Sequence, residues 1–261
     1  MGLNSETKGS IMSSTHARRR ARLRTVRVTA KDLPPERREP LVGQLHDIYR
    51  STSKGLDRED FQAEVLPRED TRLGLFYADG AALVGFSYAT LYPFIHEGRP
   101  HAIFSAGVFF HPDFRGGATA ARFGLTEALR FKLSSPGTTL AYLSRVCSPA
   151  PYLLFARTMD RFYPSRRQET TPAIEALVRA AARARGLTHV EDNLWVVHCS
   201  MGIPRRATPR RAEEHNREQE LDRQFYLRHN PGFAAGPALL VYMPLDLRNL
   251  MSGLWRAVQN F

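Results

Sequence analysis

Cysteine is scarce in this chain. Cys147 and Cys199 are the only two in 261 residues, too few for a disulfide scaffold, and a reducing, cytoplasmic setting is the expectation. His189, His198 and Cys199 lack the spacing of metal ligands, so no metal is expected. Long apolar runs are missing as well. Nothing approaches the about 20 residues that cross a bilayer, and the first apolar cluster is too short for the core of a secretory leader. Met1-Gly2 suits myristoylation, but Glu6 stands where that signal needs Ser or Thr. Neither common phosphate fingerprint occurs: Gly-x-Gly-x-x-Gly is absent, and no Lys-Ser/Thr follows a glycine loop.

Acidic residues are in deficit, 26 against 37 Lys and Arg, for a net charge of +11. The excess is local. Residues 1–29 hold seven basic side chains against one acidic, and residues 165–217 hold ten against six. Residues 30–164 hold sixteen against fifteen and are nearly neutral. Nucleic acid is therefore not the expected partner. Residues 1–24 are rich in Ser, Thr and Arg with little to bury, and read as a disordered basic leader. The length allows one large domain or two small ones, and an apolar fraction of 43% is adequate for a globular core.

Periodicity divides that domain into elements. Strands are expected at Thr25–Thr29, Arg72–Tyr77, Ala82–Leu91, His101–Phe110, Thr139–Val146, within His189–Cys199 and at Ala238–Met243. Asp79-Gly80 is a hairpin signal, and Gly98-Arg99-Pro100 reads as a break between two strands. Helices are expected at Glu39–Tyr49, at Asp57–Val65 with Asp57 as N-cap, and at Ala118–Leu133, Pro151–Arg161 and Thr170–Arg185. Pro204–Arg228 is highly charged, with an exposed helix expected over Ala212–Arg228, and a terminal helix is expected at Leu245–Val258.

The densest signal is Phe109-Phe110-His111-Pro112-Asp113-Phe114-Arg115-Gly116-Gly117-Ala118-Thr119-Ala120. A strand ends, a tight turn follows and a helix begins. The first turn of a helix presents unpartnered N–H groups at the positive end of the macrodipole, and glycines let a phosphate come close. This segment resembles the acyl-coenzyme A loop of the GNAT superfamily of N-acetyltransferases. Phe110-His111-Pro112 takes the place of the family's Val-x-Pro. Arg115 and Gly116 match, Ala118 replaces the usual second glycine, and Ala120 matches the final small residue. The order of elements over about residues 25–200 follows the family too.

The resemblance implies a single domain over residues 25–261 with a charged helical insertion at about 200–236, and an α/β fold with a mixed, mostly antiparallel sheet flanked by helices. It also implies an acyl-CoA-dependent N-acyltransferase, with acetyl-CoA or another acyl-CoA as donor. Coenzyme binding then maps to Phe109, Phe110, Arg115, Gly116, Gly117, Ala118, Thr119 and Ala120. The pantetheine arm would lie between splayed strands 101–110 and 139–146, and a strand N–H near Phe109–Phe110 would polarise the thioester. The family's proton-donating Tyr is Phe155 here and its Asn is Ser148, so Tyr152, one turn earlier, is the candidate donor. A general base is not evident; His96, Glu97, His101 and His111 are the nearby titratable groups. The acceptor would be a small-molecule or peptide amine, with Phe86–Phe94 along its side. Three alternatives stay open: an inactive binding module of the same fold, an acidic acyl-carrier protein as donor, and an aminoacyl-tRNA donor.

Overall fold

The computed structural model describes residues 23–78, 81–114, 117–199, 203–204 and 217–250. Val26 and Val28 alternate with polar residues in β1 (Arg24–Thr29), which pairs antiparallel with β3 (Arg72–Tyr77). Between them lie α1 (Pro35–Thr52), the two-residue β2 (Ser53–Lys54) and α2 (Arg58–Val65). Helix α1 begins earlier than its apolar periodicity suggests, because Pro35 is preset for the first helical position. Helix α2 is capped as expected: the Asp57 carboxylate accepts from the Asp60 N–H at 2.9 Å.

β3 pairs with β4 (Leu83–His96), and β4 with β5 (Arg99–Phe110), both antiparallel. Asp79 and Gly80 lie outside the described residues. Of the expected break at Gly98-Arg99-Pro100, only Gly98 lies outside the strands. Glu97 and Gly98 alone make the turn, both at positive φ (49° and 72°), which is the twist a two-residue hairpin needs. Arg99 and Pro100 continue the strand. Pro100 fits because its ladder position faces away from β4, where no N–H is required.

Helix α3 (Gly117–Ser134) leads to β6 (Thr139–Val146), α4 (Pro149–Thr158) and α5 (Pro172–Ala184). β7 (His189–Val190) and β8 (Asn193–Val197) form a small hairpin. The two-residue β9 (Ile203–Pro204) pairs with β2. Helix α6 (Arg217–His229) then leads to β10 (Ala238–Pro244), which inserts between β6 and β8. The main sheet has eight strands in the order β1-β3-β4-β5-β6-β10-β8-β7, mostly antiparallel, with β5 and β6 parallel. The fold is therefore the mixed α/β arrangement expected.

Side chains alternate between the two sheet faces. On one face, Phe86 and Tyr88 meet Leu45, Tyr49 and Phe61 of α1 and α2, while Ile103, Leu143 and Leu240 meet Val178 and Ala181 of α5. On the other, Phe76, Phe104 and Leu140 meet Ala120 and Phe123 of α3. There also Val146, Val241 and Met243 meet Tyr152 of α4 and Tyr226 of α6.

Helix α6 corrects the expectation of an exposed charged helix. Its described part starts at Arg217; Tyr226 and Asp222 are buried against the domain. The Tyr226 hydroxyl donates to the Val146 carbonyl at 3.1 Å. Asp222 accepts from Arg166 at 2.6 Å and from Arg167 at 2.7 Å. Arg205, Arg206, Arg210 and Arg211 of the insertion lie outside the described residues, as does the expected terminal helix beyond residue 250. Asp222→Asn removes the buried charge shared by two guanidiniums, and the expected loss is about 3 kcal/mol of stability, read from urea denaturation. A change below about 0.5 kcal/mol would show that α6 is not held this way.

Candidate functional site

β5 and β6 run side by side for only four residue pairs, from His101↔Thr139 to Phe104↔Tyr142. Both strands then continue, to Phe110 and to Val146, without pairing to each other. The result is a fork in the middle of the sheet. Which backbone groups face it follows from the neighbouring ladders. The His111 N–H donates to the Val84 carbonyl, so by alternation Phe109 and Gly107 bond to β4, and Phe110, Val108 and Ala106 turn N–H and C=O toward the fork. The Leu245 N–H donates to the Leu140 carbonyl, so the even residues of β6 serve β10, and Leu143 and Arg145 face the fork.

Two carbonyls abandoned by the parallel ladder find side-chain donors. The Tyr142 hydroxyl donates to the Ala106 carbonyl at 3.2 Å from the α3 side. Arg185, just past α5, donates to the Leu143 carbonyl at 3.2 Å from the opposite side. Val108 is 49% exposed, so the outer part of the β5 edge is open. Phe109 and Phe110 pin that strand from both faces: Phe109 stacks on Phe86 at 5.1 Å, and Phe110 stacks on Phe76 at 5.0 Å.

Beyond Phe110 the chain turns, with the Phe114 N–H donating to the His111 carbonyl at 2.9 Å, and α3 starts at Gly117. The expected strand–turn–helix is therefore present. Arg115 and Gly116 lie outside the described residues. Gly117 and Ala118 are in the first turn of α3, Thr119 is half-buried, and Ala120 is buried against the sheet. Of the two residues expected to supply the polarising N–H, Phe110 faces the fork; the Phe109 amide is committed to β4. Val108, a residue that the loop pattern passed over, also turns its N–H toward the fork.

Tyr152 sits elsewhere. It is fully buried, its hydroxyl donates to the Pro164 carbonyl at 3.1 Å, and its ring stacks on Phe225 of α6. Burial pushes its phenol well above the ordinary tyrosine value. One turn on, Phe155 contacts Tyr142 edge-on at 6.2 Å. On this face the Tyr142 hydroxyl, from a strand rather than from α4, bonds to the inner edge of the fork. Cys147 lies with its sulfur 3.2 Å from that of Cys199; that contact and burial push its thiol up, away from thiolate chemistry. Among the described residues no cluster of His, Cys, Asp and Glu is placed to hold a metal, and no helix is long and apolar enough to cross a membrane.

On the α1, α2 and α5 face, the fork borders a charged group. Arg145 of β6 forms a bidentate pair with Glu64 of α2, and Arg185 reaches the same carboxylate at 3.4 Å. Tyr88 lies beside them. Burial, with Glu64 adding to it, pushes its phenol up. Its ring crosses Gly107, where a Cβ would come within 2.3 Å of it, so glycine is needed there. Glu64, Arg145, Arg185, Tyr92 and His198 line a cavity of about 350 Å³. Of the aromatic segment Phe86–Phe94, Tyr92 is the residue that lines it.

The titratable groups near the β4–β5 turn lie at the closed end of the fork. His101 pairs with Thr139 there, 5.8 Å from His96. His111 is near Asp113 on the surface, 3.4 Å away. Burial, then the charges of His96 and Arg99, hold the His101 imidazole below its ordinary value. A histidine depressed in the folded state binds protons more readily when unfolded. Its contribution to stability is therefore lost as pH falls from about 6.5 toward the folded value. NMR titration should place the His101 midpoint below about 6.5, and His96→Gln should raise it; a wild-type midpoint above that value would contradict the assignment.

No protein-family model and no curated protein matches this chain. Solved structures do. A conserved Enterococcus faecalis protein of unknown function is 14% identical with a TM-score of 0.36, over 54% of this chain and 33% of that one, so the chain spans about a third of its length. The aminoglycoside N-acetyltransferase AAC(6')-Iy in complex with CoA is 15% identical with a TM-score of 0.31, over 66% of this chain and 92% of that one. NAA60 from Arabidopsis thaliana in complex with acetyl-CoA is 13% identical with a TM-score of 0.36, over 54% and 87%. Scores this low add no argument of their own. The structure itself shows a mixed α/β fold with a forked parallel pair, a strand–turn–helix beyond it and a closing antiparallel pair β8–β10.

Proposed function

We propose that the protein is an acyl-CoA-dependent N-acyltransferase, acting by direct attack of an amine on the thioester in a ternary complex. The observation that supports this reading is the fork, whose β5 edge offers Val108 and Phe110 amides to a ligand. A pantetheine arm carries amides of its own and adds to such an edge as a short strand does. Its pyrophosphate would then reach the first turn of α3, where Gly117 has no side chain to obstruct it.

In this reading the Val108 N–H polarises the thioester carbonyl. The amine nitrogen forms the new C–N bond, the carbonyl oxygen bears the negative charge and is stabilised by that N–H, and the C–S bond then breaks. One proton leaves the amine and one reaches the departing sulfur. Tyr142, rather than the buried Tyr152, is the proton donor proposed, since its hydroxyl lies at the base of the fork. Phe155 at the family's Tyr position also suits a coenzyme-binding module without turnover. Coenzyme A calorimetry together with an assay of thiol release separates these: binding with release supports the enzyme, and binding without release supports the module.

Val108→Pro removes the N–H that faces the fork and leaves the β4 ladder intact. The expected result is a fall of about 10²–10³ in kcat with a cooperative unfolding transition retained. Wild-type kcat in a folded variant would exclude the Val108 amide from the chemistry. Tyr142→Phe should lower kcat by about 10²-fold and leave coenzyme affinity in place; unchanged turnover with rate-limiting chemistry would remove Tyr142 from the mechanism.

A further inference from the structure

Two guanidiniums are costly to keep together away from water. They repel, and each loses hydration unless carboxylates or other acceptors surround it. Arg145 and Arg185 are so placed beside the fork. Each side chain is only 6% exposed, and both meet the same Glu64 oxygen. Arg185 also donates to the Leu143 carbonyl and lies over the Tyr92 ring at 5.9 Å. With Thr188 and His198 these residues line the cavity of about 350 Å³, a volume within the range of small-molecule sites. Glu64 is the one acid among the described residues that line it, so the lining carries an excess positive charge.

We propose that this cavity binds a carboxylate, and that the acceptor is an amine that also carries one, as an amino acid does. The word acceptor rests on the acyltransferase reading; the carboxylate site does not. A guanidinium offers paired N–H groups that match the two oxygens of a carboxylate. An incoming carboxylate brings the lining of Arg145, Arg185 and Glu64 to neutrality, and the Thr188 hydroxyl and His198 ring supply further hydrogen bonds. Arg185 ties recognition to chemistry, because it lines the cavity while bonded to the inner edge of the fork. A molecule held there by its carboxylate has its other end beside β5. The same charge excess repels diamines and other polycations, which narrows the acceptor class.

Sodium acetate is the probe for the site and coenzyme A the probe for the fork. In the full ¹⁵N-labelled chain, acetate should give saturable shifts at the Arg185 side-chain Nε–H and the Thr188 amide, beyond those given by sodium chloride at equal ionic strength. Arg185→Gln should weaken binding at least tenfold, and Arg185→Lys, which keeps the charge but loses the planar pair of donors, by a smaller factor. Absent saturation, saturation at other residues only, or equal affinity in both folded variants overturns the proposal; should the variants not fold, the wild-type shifts alone decide. Calorimetry with coenzyme A reads the fork separately. Acetate binding without coenzyme binding removes the acyltransferase reading and with it the assignment to an acceptor; coenzyme binding without acetate binding removes the carboxylate site alone. With acetyl-CoA and a panel of amino acids paired with their decarboxylated amines, accepted molecules should come from the carboxylate set. Equal kcat/KM for the decarboxylated set overturns the acceptor assignment.

Discussion

The structure turns on what happens to backbone polar groups when a parallel ladder stops. After Phe104 and Tyr142 the two central strands part, and every N–H and C=O on the inner edges must find another partner. Two carbonyls do so inside the protein, through the Tyr142 hydroxyl and the Arg185 guanidinium. These bonds close the base of the fork from opposite faces and keep the strands from zipping further. The outer amides of β5 are left to solvent or to a ligand. β5 does not collapse onto β6, because β4 holds it along its whole length on the other edge and Phe109 and Phe110 anchor it on both faces.

That arrangement separates two kinds of surface. On the α3 and α4 side, the fork opens toward a strand–turn–helix with small residues, which in the proposed function takes the phosphorylated arm. On the α1, α2 and α5 side it borders a charged cavity built by Glu64, Arg145 and Arg185. In the proposed reaction the donor and the acceptor meet through the fork from opposite faces. Arg185 serves both surfaces, since the same side chain satisfies the fork and lines the cavity. The β2–β9 pairing also brings the start of the insertion to the α1–α2 connection, on the acceptor side in this account.

Much of this was legible in the residues. Alternation placed β1, β3 and β6 within a residue or two, and Asp57 marked the start of α2. The loop from Phe109 to Ala120 announced the strand–turn–helix. What escaped was set by distant contacts. Pro100 looked like a strand breaker because its harmless position in the ladder depends on the parity of β4–β5 pairing. Helix α6 looked exposed because its charges suggested water; Asp222 is instead buried against arginines more than fifty residues away. Tyr152 was singled out by its offset from Phe155, yet its hydroxyl is bonded to Pro164, while that of Tyr142, on a strand, bonds to the edge of the fork. Arg145 and Arg185 lie 81 and 121 residues from Glu64 along the chain, and no local pattern joins them.

Amide hydrogen exchange, read residue by residue with and without coenzyme A, tests the central claim most directly. Val108 and Phe110 turn their N–H groups to the open fork, whereas those of Gly107 and Phe109 are bonded to β4. The account predicts fast exchange at Val108 and Phe110 in the free protein and strong protection of both on adding coenzyme A, with Gly107 and Phe109 protected throughout. Saturating coenzyme A that leaves Val108 and Phe110 exchanging as in the free protein would contradict it.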